Sequence, residues 1–151
     1  MTDRIEKQIL LRAPRSRVWR AIFDKTEFGA WFGVKFPAGT FAAGEKVSGN
    51  ITHPGYEHFV MDIELISVTP ERQLSYRWHP YAVDPNVDYS SEPTTLVTFT
   101  LEDAADGTLL TIVESGFDQI PLHRRAEAMR MNDRGWTEQT TNIKRHVTAS
   151  R

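Results

Sequence analysis

Residues 122–147 read LHRRAEAMRMNDRGWTEQTTNIKRHV, and this stretch decides the fold. Alternating steps of four and three from Leu122 land on Ala126, Met129, Asp133, Trp136, Thr140, Ile143 and Val147. That spacing marks one face of an α-helix. The face is apolar except at Asp133 and Thr140, while Arg124, Glu127, Arg134, Glu138, Lys144 and Arg145 lie on the side that belongs in water. At about 1.5 Å per residue, a helix of this length crosses a whole small sheet. The two polar interruptions are expected either to sit over water at the edge of the contact or to look into something other than solid core.

Upstream of this helix the pattern is mostly that of strands. Residues 5–12 predict a first strand with Ile5, Ile9 and Leu11 on one face. Pro14 suits the first position of a helix, where a missing N–H costs nothing, and that helix carries Val18, Trp19, Ile22 and Phe23. Thr26 is expected to cap a second short helix through Phe28 and Trp31, ended by Gly33. Strands are then predicted at 34–36, 46–53, 59–68, 73–79, through Val97, Phe99 and Leu101, and at 108–115. The last strand offers two inward sets, Leu110, Ile112 and Glu114 or Leu109, Thr111 and Val113. Consecutive strands with short connections predict an antiparallel, strongly bent sheet, with the long helix over its concave face, an α+β plan.

Bulk properties narrow the function classes. The chain has 151 residues, enough for one core. A net charge of −2 with interspersed signs leaves no footprint for nucleic acid or an anionic membrane. The absence of cysteine removes disulfides, thiol nucleophiles and thiolate metal sites. No apolar run approaches a membrane span or a signal-peptide core, so a cytoplasmic protein is expected.

Six stretches, APRSRVWRAIFD (13–24), AWFG (30–33), VTPERQLSYRW (68–78), TLVTFTLE (95–102), GTLLTIVESGF (107–117) and NDRGW (132–136), occur in an order that resembles the START-like superfamily, also called SRPBCC. Within it, the motifs are most similar to the branch named for the activator of the heat-shock-protein-90 ATPase. The resemblance implies a helix-grip fold: a curved antiparallel sheet gripping a long C-terminal helix, with two short helices after the first strand, in a single domain over 1–151. It also implies a deep pocket between that helix and the sheet for a mostly apolar small molecule. The eukaryotic chaperone activators join a similar domain to a second one that has no counterpart among these motifs.

Candidate pocket residues are the aromatics Trp31, Phe32, Tyr76, Trp78, Phe99, Phe117 and Trp136, with Ile112, Glu114, Met129, Asp133 and Thr140 beside them. Aromatic walls with a few polar groups are the usual form of a small-molecule site, although the same rings would also fill a core. Glu114 is the most informative: with Leu110 and Ile112 turned inward it lies on the inner face, where a carboxylate must be paired, hydrogen-bonded or protonated. Asp133 poses the same question from the helix, unless Asn132 or Asp133 caps a second helix and splits the stretch in two. Gly135 beside Trp136 reads as a close-packing position.

Of the five histidines, His53 and His58 flank a Pro-Gly turn, His79 opens a long loop, and His123 and His146 are expected in water. None stands in a catalytic motif, and no metal site, cofactor or catalytic residue is assigned. The loop 79–95, with Tyr81, Asp84, Asp88, Tyr89 and Glu92, reads as a lid or as a subunit contact. The expected function is a binding module for an apolar or amphipathic small molecule. The alternatives are a polyketide-cyclase-like or hydrolase-like enzyme using a pocket carboxylate, and a regulator of a chaperone ATPase. A chaperone and a second copy of the chain, as a homodimer, stand as further partners.

Overall fold

The computed structural model describes residues 4–81 and 86–149; Asp84 of the long loop lies outside the described residues. The elements run β1 (Arg4–Leu11), α1 (Arg15–Phe23), α2 (Lys25–Phe32), β2 (Val34–Lys35), β3 (Lys46–Ile51), β4 (Val60–Thr69), β5 (Gln73–Trp78), β6 (Thr95–Ala104), β7 (Gly107–Ser115) and α3 (Leu122–Ala149), with a 3-10 turn at Phe117–Gln119. All seven strands form one antiparallel curved sheet in the order β1-β7-β6-β5-β4-β3-β2. Only the step from β1 to β7 joins strands distant in sequence, which puts the last strand between the first and β6. The architecture is the helix-grip plan, and α3 is one unbroken helix, so neither Asn132 nor Asp133 starts a new one.

Local chemistry accounts for the two short helices. Asp24, rather than Thr26, caps α2: its side chain accepts the Glu27 N–H at 3.0 Å. Gly33 ends α2 in the left-handed conformation (φ 95°) that favours glycine. Gly29 allows α2 to approach β2, since a Cβ there would stand 2.1 Å from the Val34 carbonyl oxygen. By contrast, a Cβ on Gly135 would meet nothing within 4 Å, so the expected close packing beside Trp136 is not what this glycine provides.

The inward set of β7 is Leu110, Ile112 and Glu114, with exposures of 0%, 1% and 0%. Period-two alternation follows on β6 with Val97, Phe99 and Leu101, and on β4 with Met61, Ile63 and Leu65. The core between sheet and helices is aromatic. Phe28 sits within 4.9–5.0 Å of Trp31 and Phe32 and 5.6–6.5 Å of Phe41, Phe99 and Tyr76, mostly edge to face, the arrangement ring quadrupoles favour.

The phase of α3 differs from the four-three reading at its N-terminal end. Trp136, Ile143 and Val147 are buried as expected, but Leu122 is 78% exposed and Ala126 is in water, while Ala128 is fully buried. From Trp136 toward the N-terminus the inward face therefore runs through Asn132 and Ala128, rotated away from the line through Met129. That rotation moves Asp133 out of the groove. It pairs with Lys7 of β1 at 2.9 Å, its side chain 53% exposed.

Candidate functional site

Glu114 is fully buried between α3 and the sheet, and both its oxygens are engaged. Oε2 accepts the indole N–H of Trp78 at 2.8 Å and the hydroxyl of Thr95 at 2.6 Å. Oε1 accepts the indole N–H of Trp136 at 2.8 Å, and the Asn132 amide spans the two oxygens at 3.0 and 3.1 Å. Register explains the convergence. Trp78 at the end of β5 pairs with Thr95 at the start of β6, and Glu114 stands nearby on β7, opposite Val97. Asn132 and Trp136 are one helical turn apart, so both reach down from α3 to the same point.

Among the described residues no salt bridge reaches this carboxylate. An ionised carboxylate only accepts hydrogen bonds, and every neighbour bonded here donates, so the donor set matches the charged form. The Tyr76 hydroxyl has no hydrogen-bond partner among the described residues. Burial, and then the charge of Glu114, raise its pKa well above the usual phenol value and keep it neutral.

The other expected pocket residues fall into three groups. Trp31, Phe99, Ile112 and Phe117 are core, and Trp31 also donates its indole N–H to the Ala21 carbonyl at 2.8 Å, tying α2 to α1. Met129 is partly buried against the core, and the Thr140 hydroxyl bonds back to the Thr137 carbonyl at 2.7 Å on its own helix. Phe32 and Trp78 remain at open space, together with Trp136. The groove under α3 is largely filled by side chains: a cleft of about 80 Å³ remains among Phe32, Trp78, Met131, Asn132, Gly135, Trp136 and Gln139.

A larger cleft, about 460 Å³, opens on the far side of Phe32 and Trp78. It forms where the sheet parts. β4 is ten residues long and β5 six, and their pairing stops at Glu64 with Arg77, leaving the Val60 end of β4 without β5 beside it. Phe59, Met61, Asp62, His79, Tyr81, Asp88 and Tyr89 contribute to its wall. His79 and Trp78 both line it, because regular strand geometry ends at Trp78. Arg124 of α3 holds the loop in place: it bonds Glu92 and the Pro80 carbonyl at 2.9 Å and the Tyr81 carbonyl at 3.2 Å, and lies 4.8 Å from the Tyr89 ring centre.

Sequence reasoning missed Thr95 and Asn132 of the Glu114 cluster, and the whole β4 wall of the larger cleft. Asn132 was visible only as a possible cap, and no local signal shows where two strands separate. His146 is not free in water either: its Nε2 lies 3.0 Å from Glu27, which also binds Arg17 and Arg20 at 2.8 Å. No cluster of metal-ligating side chains occurs among the described residues. No helix there is long and apolar enough to cross a membrane.

Several solved structures share the fold. A protein from Mesorhizobium loti is 23% identical, with 98% of each chain covered and a TM-score of 0.76. DynU16, a protein in the dynemicin biosynthetic locus, is 24% identical over 98% of this chain but 48% of its own, at a TM-score of 0.72. The Aha1 dimer from Colwellia psychrerythraea is 14% identical over 95% of each chain, at 0.69. No curated protein matches the chain. The profile of the family described as Activator of Hsp90 ATPase homolog 1-like protein matches residues 12–148, and with nearly the whole chain inside that match, the protein belongs to this family.

Proposed function

We propose that the protein is a binding module for an apolar or amphipathic small molecule, seated against Phe32 and Trp78. The observation that carries this reading is the 460 Å³ cleft at the parting of β4 and β5. Its volume falls within the roughly 300–1,000 Å³ typical of small-molecule sites, and its wall mixes aromatic rings with a few polar groups. Trp78 is one wall of the cleft and is fixed from behind by Glu114, so the ring is held in place before a ligand arrives. The smaller space under α3 shares Phe32 and Trp78, which makes it a natural extension of the same site.

Titration with N-phenyl-1-naphthylamine, a neutral apolar fluorophore, tests the reading. Saturable one-site binding is expected, with thermal stabilisation of about 2.7 kcal/mol at a hundredfold excess over Kd. Phe59→Ala, which removes part of the wall, should weaken it by about tenfold. Absence of saturable binding, or binding indifferent to Phe59→Ala, rejects the proposal.

A pocket-carboxylate enzyme is less well supported, because both oxygens of Glu114 are already occupied by donors. The family description favours one second reading, regulation of an Hsp90 ATPase through the outer surface. Stimulation of that ATPase unaffected by Phe59→Ala would select it. The homodimer proposal draws on the Colwellia relative, which was solved as a dimer, and sedimentation velocity tests it. A single START-like unit over 1–151 and a cytoplasmic setting are likewise proposals, the first supported by the span of the family match.

A further inference from the structure

We propose that the cleft between β4 and β5 selects molecules carrying a positive charge on an apolar body, such as an alkyl or aromatic ammonium compound. This inference rests on that cleft being the binding site. Two carboxylates, Asp62 and Asp88, stand in its described wall, and no lysine or arginine does. Neither forms an ion pair among the described residues, although the charge of His79, in the same wall, acts on Asp88. Asp62 accepts the Ser48 hydroxyl, and Asp88 accepts the Ser90 N–H at 2.9 Å. Hydrogen bonds from the Ser90 backbone and side chain hold the Asp88 carboxyl below its usual range, so it is charged at neutral pH.

Main-chain groups add to the acceptor surface. Leu65 directs its N–H to the Glu45 carbonyl at 2.8 Å and takes the Gly44 N–H at 2.7 Å, both on the β3 side. Antiparallel strands alternate the direction of these groups from residue to residue. Val60 and Asp62, at the opposite parity, therefore turn theirs to the side where β5 has already ended. Each offers a carbonyl to an ammonium N–H. The rings of Trp78, Phe59 and Tyr81 supply the negative π-faces that attract a cation and the apolar area that holds its body. Arg124 lies behind Tyr89, but its charge is already met by Glu92 and two loop carbonyls.

A matched set of ten-carbon probes separates charge from apolar contact: decylammonium, decanol and decanoate, each below its micelle concentration. Binding is read by tryptophan fluorescence and thermal shift. Decylammonium is expected to bind about tenfold tighter than decanol, the scale of a cation–π contact with partly exposed carboxylates, and decanoate more weakly than either. In the double variant Asp62→Asn with Asp88→Asn, the ammonium-to-alcohol ratio should fall toward one; both are surface positions, and circular dichroism checks the fold. Equal or tighter binding of decanoate overturns the inference, as does an ammonium preference that survives the double variant. Decanol binding without any charge preference removes this inference alone. Failure of all three probes removes the binding site with it.

Discussion

Replacing Glu114 with glutamine tests what the buried carboxylate contributes. Two effects oppose each other. Burial of a charge without a cationic partner carries an effective penalty of several kcal/mol, which the neutral amide would relieve. Against that, Glu114 accepts from two indoles, a hydroxyl and an amide, all donors. An amide NH₂ in the Oε1 position would face the Trp136 N–H now at 2.8 Å, and in the Oε2 position it would face that of Trp78. Thr95 can turn its hydroxyl to accept, but an indole cannot. Either placement leaves one indole N–H opposed and unsatisfied, at about 1–3 kcal/mol, and reduces the remaining charge-assisted bonds to neutral ones. The donors should win, with a net loss of about 3 kcal/mol. In urea, a slope of about 2 kcal/mol per molar turns this into a midpoint lower by about 1.5 M. Tm should fall by about 6–12 °C. Trp136→Phe removes the indole donor together with part of the buried ring, so it should cost about 3 kcal/mol in the wild type and clearly less beside Glu114→Gln, where the donor no longer meets a charge. A Glu114→Gln protein as stable as wild type, or no coupling to Trp136→Phe, would show that desolvation of the carboxylate dominates and refute this account.

Tyr76→Phe removes a buried hydroxyl with no partner among the described residues and should leave urea stability unchanged or raise it by up to about 1 kcal/mol. Gly29→Ala forces a Cβ against the Val34 carbonyl and should cost about 3 kcal/mol, whereas Gly135→Ala, with open space around it, should gain up to about 1 kcal/mol from helix propensity; thermal unfolding of the pair checks both. At Glu27, burial raises the carboxyl pKa, but hydrogen bonds from His146, Arg17 and Arg20, with the charge of Arg17, outweigh it and hold the value below 4.5. Its contribution is therefore present above pH 4.5 and lost as pH falls through the lower folded value, so Glu27→Gln should flatten the acid limb of a stability–pH profile. Arg124→Gln should leave global stability nearly intact while speeding amide exchange at the described loop positions it anchors, Tyr81 and Glu92.

Much of the fold could be read in the chain because it is set by short-range geometry. Alternation at Leu110, Ile112 and Glu114, the Gly33 stop and the periodicity through Trp136, Ile143 and Val147 need only the repeat of a strand or helix. The ordered motifs then selected one arrangement of those elements, and that arrangement is the one found. The candidate site was less legible. Glu114 was visible as an inner-face carboxylate, but of the groups that hold it only Trp78 and Trp136 were named, while Thr95 and Asn132 were not.

Only the tertiary structure decided which side of α3 looks inward at each turn. Asn132 and Asp133 stand about 100° apart and both lie within about one turn of Trp136, so the repeat allows either over Glu114, and packing against the sheet chose Asn132 and turned Asp133 to Lys7. It also decided where the open space lies. A cleft is what neighbouring elements fail to fill, and the parting of β4 from β5 depends on the unequal length of two strands and the path of the loop after Trp78. Periodicity is a property of one segment, whereas a cavity belongs to several at once. The sequence therefore determined the sheet, the helix and the buried acid, and packing alone determined which donors that acid would meet and where a ligand could enter.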